Sequence, residues 1–238
     1  MNYKDCPVLT KLYKKKEPLI TKVPVDDYTR MVQNNFDYEF TGESKFYPYE
    51  IPVELKDLEF NTLVIYGASG SGKSTLLKEF YFYNKPKKTY DNEKAIVSSF
   101  ESPEMASRKL SAVGLNSMPV WCRPRKVLSV GEGFRADLAL NIESEVVFDE
   151  FTSTIDRNVA KSTANSIKKF IQTEKLKNVV FCSCHNDYIP YLNPDIVIDL
   201  DEEKVFDCRG IELGEQLHYK STSQQPKING IFLGNITI

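Results

Sequence analysis

The chain has 238 residues, of which 41% are hydrophobic and 27% are charged, and this is enough material for one sizeable core. Lysine and arginine (31) nearly balance aspartate and glutamate (33), so the net charge of -2 excludes a global attraction to nucleic acid, although not a local basic patch. The five scattered cysteines indicate reduced thiols in a cytoplasmic protein. The longest apolar runs are strand-length, far below the roughly 20 residues that cross a bilayer, so we expect no membrane insertion.

Residues 1–60 are polar and aromatic and have no helical period. They predict loops and short β segments that pack on a core beginning at residue 61. Residues 62–66 have the pattern of a buried strand, a glycine-rich turn follows, and residues 74–81 have helical spacing. This order is typical of the start of an α/β unit.

Strands and helices are predicted to alternate along the rest of the core, which we expect to end near residue 210. Ser102 is expected to cap a helix, and residues 211–238 are expected to form a β-like tail. The predicted strands are 94–97, 145–149, 179–182 and 196–200; the predicted helices are 103–113, 131–142 and 157–175; residues 114–124 are predicted to be an ordered loop. Strands separated by helices imply an α/β fold with a mainly parallel sheet and helices on both of its faces.

Residues 67–74, Gly-Ala-Ser-Gly-Ser-Gly-Lys-Ser, fit the phosphate-binding pattern G-x-x-x-x-G-K-[ST]. Small residues let backbone N–H groups close around phosphates, and the following helix adds partial positive charge. Lys73 is expected to bridge the β- and γ-phosphates, and the Ser74 hydroxyl to bind Mg²⁺. A turn of a Rossmann-like protein is the alternative, which the Lys and Ser disfavour. The predicted nucleotide-binding residues of this loop are Gly67, Ala68, Ser69, Gly70, Ser71, Gly72, Lys73, Ser74 and Thr75.

A second motif is the apolar strand that ends in Asp149 and Glu150. A Mg²⁺-bound nucleotide needs carboxylates at this edge of a sheet. Asp149 is expected to hold the metal ion through water, and Glu150 to act as the general base toward the attacking water. Taken alone, a solvated acidic strand end explains the two residues equally well.

Together these motifs resemble those of the ABC ATPase family, over residues 60–210. Residues 149–156, Asp-Glu-Phe-Thr-Ser-Thr-Ile-Asp, are similar to the family's D-E-P-T-S-A-L-D segment. Residues 128–132, Leu-Ser-Val-Gly-Glu, are similar to its signature L-S-G-G-Q, and residues 180–185 resemble the strand that ends in its switch histidine. The motifs occur in the family's order.

The resemblance implies a P-loop NTPase fold, ATP and Mg²⁺ as cofactors, and ATP hydrolysis. It also implies a homodimer on ATP binding, in which ATP lies between the phosphate loop of one copy and Ser129 and Gly131 of the other. Asp156 is then the D-loop residue, and Glu150, His185 and Lys73 are the catalytic residues. His185 is one of only two histidines, and a packed polar residue at a strand end is the alternative for it.

The sequence departs from the family pattern in two places. No glutamine lies between Lys73 and Gln172, so Ser98, Ser99 or Glu101 stands where the Q-loop glutamine is expected. The stretch between the phosphate loop and Ser129 is short, which implies a reduced helical subdomain and disfavours a transporter. Residues 112–125 and 128–137 are similar to a non-transporter ABC subgroup often fused to an acetyltransferase domain, so a separate acetyltransferase is a candidate partner.

The biological role stays open among several alternatives. One is an ATPase that switches DNA or a DNA-associated protein. Others are a transporter nucleotide-binding subunit, a small-molecule P-loop kinase, and a nucleotide-gated binding module with negligible turnover. Phe46, Tyr47 and Tyr49 are each a candidate to stack on adenine or to belong to the core. The lysine runs are a candidate nucleic-acid patch or a solvated face, and Cys182 with Cys184 makes a poor metal site without further ligands.

Overall fold

The computed structural model describes residues 1–56 and 58–214. The strands are β1 (Val8–Lys11), β2 (Leu19–Lys22), β3 (Glu43–Phe46), β4 (Thr62–Tyr66), β5 (Val146–Phe148), β6 (Val179–Ser183), β7 (Ile196–Asp199) and β8 (Lys204–Asp207). The helices are α1 (Asp27–Phe36), α2 (Val53–Lys56), α3 (Lys73–Leu77), α4 (Pro103–Ala112), α5 (Met118–Trp121), α6 (Val130–Asn141), α7 (Arg157–Glu174) and α8 (Ile189–Leu192). Single 3₁₀ turns lie at Tyr3–Asp5, Ile96–Ser99 and Arg125–Val127.

A six-stranded sheet organises the chain, with the strand order β1-β8-β7-β4-β6-β5. Its four strands β7, β4, β6 and β5 are parallel, and β8 and β1 continue it in antiparallel pairing. A separate two-stranded sheet pairs β2 with β3. Because parallel strands end at one edge of a sheet, the segments that follow β4, β5, β6 and β7 meet there.

Successive residues of β4 point to opposite faces of the sheet and enter two different hydrophobic layers. Leu63 and Ile65 pack in the layer that also holds Leu76 and Leu77 of α3. Val64 packs in the opposite layer, with buried residues of α4, α6 and α7. The sheet therefore has helices on both faces, and the predicted α/β fold class is confirmed.

Several predicted elements are found close to their expected positions. The Ser102 hydroxyl accepts a hydrogen bond from the Met105 N–H at 3.1 Å and caps α4. Ala160, Ala164, Ile167 and Ile171 recur at helical spacing along α7, and all four are buried in the core. Among the residues described, no helix is both long enough and apolar enough to cross a membrane.

The prediction of loops and short β segments for residues 1–60 was wrong over residues 27–36, which form α1. This helix buries none of its residues, and its short apolar repeat at Tyr28, Met31, Val32 and Phe36 lies on the surface, where the prediction overlooked it. Its ends carry the signals that identify it. The Asp26 carboxylate accepts from the Thr29 N–H at 2.9 Å in a capping box, and Asp37 ends the helix in a left-handed conformation.

Residues 94–97 were predicted to be a strand, but Ile96–Ser99 form a 3₁₀ turn. Ile96 is fully buried in the helical layer, and its N–H donates to the Arg123 carbonyl at 3.0 Å rather than to β5. Within the described chain, β5 is consequently an edge strand. The helix predicted at 74–81 ends at Leu77, and part of the loop predicted at 114–124 is α5. Most of the predicted tail, residues 215–238, lies outside the described residues.

Candidate functional site

Three of the sequence motifs follow neighbouring strands of the sheet. The phosphate loop follows β4, Asp149 and Glu150 follow β5, and His185 follows β6, which lies between β4 and β5. The register places Tyr66 of β4 beside Ser183 of β6. The fold thus brings the phosphate loop, the acid pair and the histidine to one edge of the sheet.

The phosphate loop wraps back on itself between β4 and α3. Gly70 and Gly72 have φ angles of 79° and 99°, which favour glycine. Lys73 is only 6% exposed, and its ammonium donates to the carbonyls of Gly67 at 2.9 Å and Ala68 at 2.7 Å. The lysine charge is therefore held inside the loop by neutral carbonyls, and no carboxylate of the described residues pairs with it.

The remaining loop residues differ in exposure and in contacts. Ala68, Ser69, Gly70 and Ser74 are exposed, and Thr75 is half-buried on the first turn of α3. The Ser71 hydroxyl is buried and has no hydrogen-bond partner in the described chain. An unpaired buried hydroxyl is costly unless a ligand satisfies it. Together with the Lys73 ammonium, it fits an anion such as a phosphate group.

The turn between β7 and β8 holds the phosphate loop from one side. The Ala68 N–H donates to the Asp201 carboxylate at 2.9 Å. The buried Asp199 carboxylate accepts from the N–H groups of Asp201 and Glu202, each at 3.0 Å, and from the Tyr3 hydroxyl at 2.9 Å. These supports were not predicted, although Asp199 and Asp201 at the end of an apolar run were a visible signal for them.

Of the three candidate aromatic residues, Phe46 lies at the phosphate loop. A Cβ placed on Gly72 would be 2.6 Å from the tip of the Phe46 ring. Tyr49 is buried, and its hydroxyl donates to the Glu203 carboxylate at 2.8 Å, so Tyr49 serves the core. Tyr47 is 46% exposed. Phe46 is therefore the candidate base-stacking residue that the geometry favours.

The contact between Phe46 and Gly72 makes a specific prediction. Gly72→Ala is expected to destabilise the loop by more than Gly70→Ala, because both positions have positive φ but only position 72 has a ring in the way. Steric overlap of this kind costs about 1–3 kcal/mol. Urea unfolding of the two variants measures the difference. Phe46→Leu should recover part of the loss in Gly72→Ala, and equal destabilisation of both alanine variants would contradict the contact.

The acid pair sits on a turn with unusual backbone conformation. Glu150 and Thr152 have φ angles of 56° and 67°, which are strained for residues with a side chain. The Glu150 N–H donates to the Asp149 carboxylate at 2.9 Å, and the Phe151 N–H donates to the Cys182 carbonyl at 2.7 Å. Glu150 is exposed and Asp149 half-buried. The turn thus holds the Glu150 side chain out at the sheet edge.

The buried Cys182 lies under this turn, and Cys184, two residues later in the chain, is half-buried. Burial raises the pKa of the Cys182 thiol, and the adjacent Asp149 carboxylate raises it further. Both effects favour the protonated form of the thiol. Across the described residues, no cluster of three or more His, Cys, Asp or Glu side chains is arranged to hold a metal ion by itself.

Arg157 joins three of the motifs and was not singled out by the sequence. Its guanidinium donates to the Thr152 carbonyl at 3.2 Å and forms an ion pair with Asp187 through two nitrogen atoms. Partial burial raises the pKa of the Asp187 carboxyl, but the hydrogen bonds and charge of Arg157 outweigh burial and lower it. Arg157 follows Asp156, so it ties the D-loop to the acid turn and to the segment after His185.

The histidine and the D-loop aspartate are both placed by local contacts. The His185 N–H donates to the Ser183 hydroxyl at 3.0 Å, and the ring is half-buried. The Asp156 carboxylate accepts from the Asn158 N–H at 2.8 Å and caps α7. Both residues lie on segments that meet at Arg157.

The signature segment begins α6. The Ser129 side chain is the cap of this helix, and its hydroxyl donates to the Glu132 carboxylate at 2.8 Å. A Cβ on Gly131 would lie 3.3 Å from Ile155, so the segment packs beside the D-loop of its own chain. Glu132 stands where the family signature has glutamine. It accepts the hydrogen bond of the Ser129 hydroxyl, which by the resemblance would contact a nucleotide bound to the second copy.

Solved structures of ATP-binding cassettes are similar to this chain in fold. The chain matches a dimeric ATP-binding cassette in a post-hydrolysis state bound to ADP and Pi, with a TM-score of 0.50, 13% identity, and coverage of 84% of this chain and 99% of that one. The chain has the fold of an ATP-binding cassette. A dimeric bacterial ABC transporter cassette is also similar, with a TM-score of 0.47, 14% identity and coverage of 84% and 99%.

A third similar structure is CbiO1 from Clostridium perfringens, part of an ABC transporter complex, with a TM-score of 0.43, 12% identity and coverage of 80% of this chain and 88% of that one. No protein-family model matches the chain, and no curated protein matches its sequence. The likeness lies in the fold, while the two sequences of each pair differ at most positions.

Proposed function

We propose that this chain is an ABC-type ATPase that binds Mg-ATP and hydrolyses it between two head-to-tail copies. The observation that carries the proposal is the meeting of the phosphate loop, the Asp149–Glu150 turn and His185 at one sheet edge. The cassette fold supports it, since one similar structure is a dimer bound to ADP and Pi.

The loop residues support phosphate binding by their chemistry. The Lys73 ammonium, which donates to the Gly67 and Ala68 carbonyls, exchanges these partners for β- and γ-phosphate oxygens. The Ser71 hydroxyl, otherwise without a partner in the described chain, donates to a phosphate oxygen. Phe46, packed against Gly72, stacks on the base.

The metal would be held by Ser74 and Asp149. A hydroxyl and a carboxylate are the hard oxygen ligands that Mg²⁺ takes, with water and phosphate oxygens completing its shell. An ion held by these two residues would supply charge neutralisation to the phosphates. The described residues offer no larger ligand cluster, which agrees with an ion that arrives with its nucleotide.

Hydrolysis requires a base and a γ-phosphate contact. Glu150, held out by its strained turn, accepts a proton from the attacking water. His185 donates a hydrogen bond to the γ-phosphate and keeps the water in line. Ser129 and Gly131 of the second copy close the site, with Asp156 at the interface; Ser129 must first release Glu132.

Size-exclusion chromatography of Glu150→Gln tests the proposal. The variant is expected to elute as a dimer with ATP and Mg²⁺ and as a monomer without them, because removing the base traps the closed state. Hydrolysis by the wild-type chain should exceed that of the variant by about 100-fold or more. A variant that stays monomeric with bound ATP would sink the head-to-tail mechanism.

A transporter nucleotide-binding subunit is the second candidate, since similar structures include ABC transporter cassettes. Co-purification with an integral membrane protein would favour this candidate. The non-transporter subgroup, with DNA, a DNA-associated protein or a separate acetyltransferase as partner, rests on the sequence resemblance alone. Stimulation of hydrolysis by DNA at low salt would favour a DNA-related role. A small-molecule kinase has no use for Ser129, so unchanged activity of Ser129→Arg would favour the kinase.

A further inference from the structure

An arm formed by residues 19–46 carries an apolar face that no other described part of the chain covers. The arm consists of β2, α1 and β3, and α1 buries none of its residues. Apolar side chains recur at the first, fourth, fifth and ninth residues of one stretch, which places them on one face of the helix. They are Tyr28, Met31, Val32 and Phe36, with exposures of 78%, 55%, 42% and 73%. Contiguous apolar surface of this kind marks an interaction site.

The arm is attached at the nucleotide site. Its last strand, β3, ends at Phe46, whose ring packs against Gly72 of the phosphate loop. Phe46 is paired with Leu19, the first residue of β2. Both strands of the arm therefore meet the core beside the phosphate loop, on the surface that the proposed head-to-tail dimer brings against a second copy.

The surface opposite the phosphate loop in that dimer is also apolar and uncovered. We call residues 118–135 the signature face, because they surround Ser129. Met118, Val127 and Val130 are 70%, 57% and 72% exposed on it. Val130 directly follows Ser129 and Val127 lies two residues before it, so these two side chains lie where the second copy's phosphate loop would approach.

The two surfaces also differ in charge. Between the strands of the arm, residues 23–42 contain four acids and one base, which are Asp26, Asp27, Asp37, Glu39 and Arg30. On the signature face, Arg123 is exposed and forms no ion pair within the described chain, whereas Arg125 and Lys126 are paired with Asp137 and Glu93. Opposite charges of this kind orient two surfaces as they meet.

We infer that the arm docks across the dimer interface onto the signature face of a second copy of this chain. This inference rests on the proposed head-to-tail dimer. The apolar face of α1 covers Val127, Val130 and Met118 of the other copy, and its acids approach Arg123. Two-fold symmetry makes the contact twice in each dimer, so the arm adds binding surface beside each nucleotide.

Substitutions on the arm test this contact in the Glu150→Gln background. Met31→Asp with Phe36→Asp is expected to raise the dimer dissociation constant at least about tenfold in ATP and Mg²⁺, as measured by sedimentation. The ATP affinity of the monomer should not change, because both side chains are exposed on α1 and neither belongs to the loop. Val53→Asp is the matched control, since Val53 is 72% exposed on α2, outside the arm.

Cross-linking places the arm more directly. Cys122 is exposed on the signature face, so a Tyr28→Cys variant treated with a short bis-maleimide should give a covalent dimer. The product should need ATP and Mg²⁺ and should disappear when Cys122→Ser is added. Its doubled mass on a denaturing gel separates it from a cross-link within one chain.

The outcomes separate the arm from the site. If the arm variants dimerise as tightly as the parent, the inference is wrong, the ATP-dependent dimer stands, and the arm face belongs to a different partner. If the arm variants lose ATP affinity as monomers to the same extent as they lose dimerisation, the substitutions act on the phosphate loop. The inference is then also wrong. If the parent with an intact arm forms no dimer while binding ATP, both the dimer and the inference fail.

Discussion

Lys73→Ala is expected to lower the affinity for Mg-ATP by at least about 100-fold, because hydrogen bonds to charged groups contribute about 1.5–3 kcal/mol each. The Lys73 ammonium is the one buried charge of the described phosphate loop. Its present partners are the neutral carbonyls of Gly67 and Ala68, which a charged ligand can displace. Titration with a fluorescent ATP analogue in Mg²⁺ measures the loss.

Lys78→Ala is the matched control for this experiment. Lys78 is exposed, ends α3 and lies five residues after Lys73, so its removal should leave the affinity almost unchanged. Because Lys73 also joins two loop carbonyls, the melting temperature of each variant should be recorded. Retention of full affinity by a folded Lys73→Ala chain would exclude this loop as the phosphate site.

The core of the fold was predictable because its signals are local. Residues 62–66 are apolar and are followed directly by a glycine-rich turn, and α7 repeats small and apolar residues on one face. The first pattern is typical of a buried strand, and the second is typical of a helix with one buried face. The same holds for α4, whose cap, Ser102, precedes a proline in the first turn.

The errors arose where neighbours rather than local sequence decide the conformation. Residues 94–97 have the composition of a strand, yet Ile96 is buried among helices and bonds to Arg123 instead. Helix α1 buries none of its residues, so its apolar repeat at Tyr28, Met31, Val32 and Phe36 has no partner in the core that would have indicated a packed helix. Propensity is a weak guide at such positions.

The motifs of the candidate site could be identified from the sequence, but the residues that support them could not. The loop and the acid pair are contiguous in sequence, so their residue types identify them. Arg157 and Asp187 are 30 residues apart in the sequence. Phe46 and Gly72 are also distant in the sequence, and the fold of the arm brings them together. A single sequence carries no signal for such long-range pairs. The choice of Phe46 over Tyr49 needed the observation that the Tyr49 hydroxyl is engaged by Glu203.

Phe151 connects the stability of the core to the position of Glu150. It is fully buried, and its ring lies 4.6 Å from the Phe181 ring and 5.0 Å from the Tyr188 ring, between centroids. Its N–H donates to the Cys182 carbonyl at 2.7 Å, directly after the strained Glu150. The ring therefore supplies the packing that holds the acid turn in its unfavourable conformation.

Phe151→Ala is expected to lower the free energy of unfolding by about 3–5 kcal/mol, through lost burial and the cavity left beside Phe181. Guanidinium unfolding measures this loss. ATP hydrolysis should fall further than the folded fraction does, because the turn bearing Glu150 relaxes, while ATP affinity at the loop should persist. Phe151→Leu keeps most of the volume and should lose less than half as much stability. Hydrolysis that simply follows the folded fraction would show that Phe151 stabilises the core without positioning Glu150.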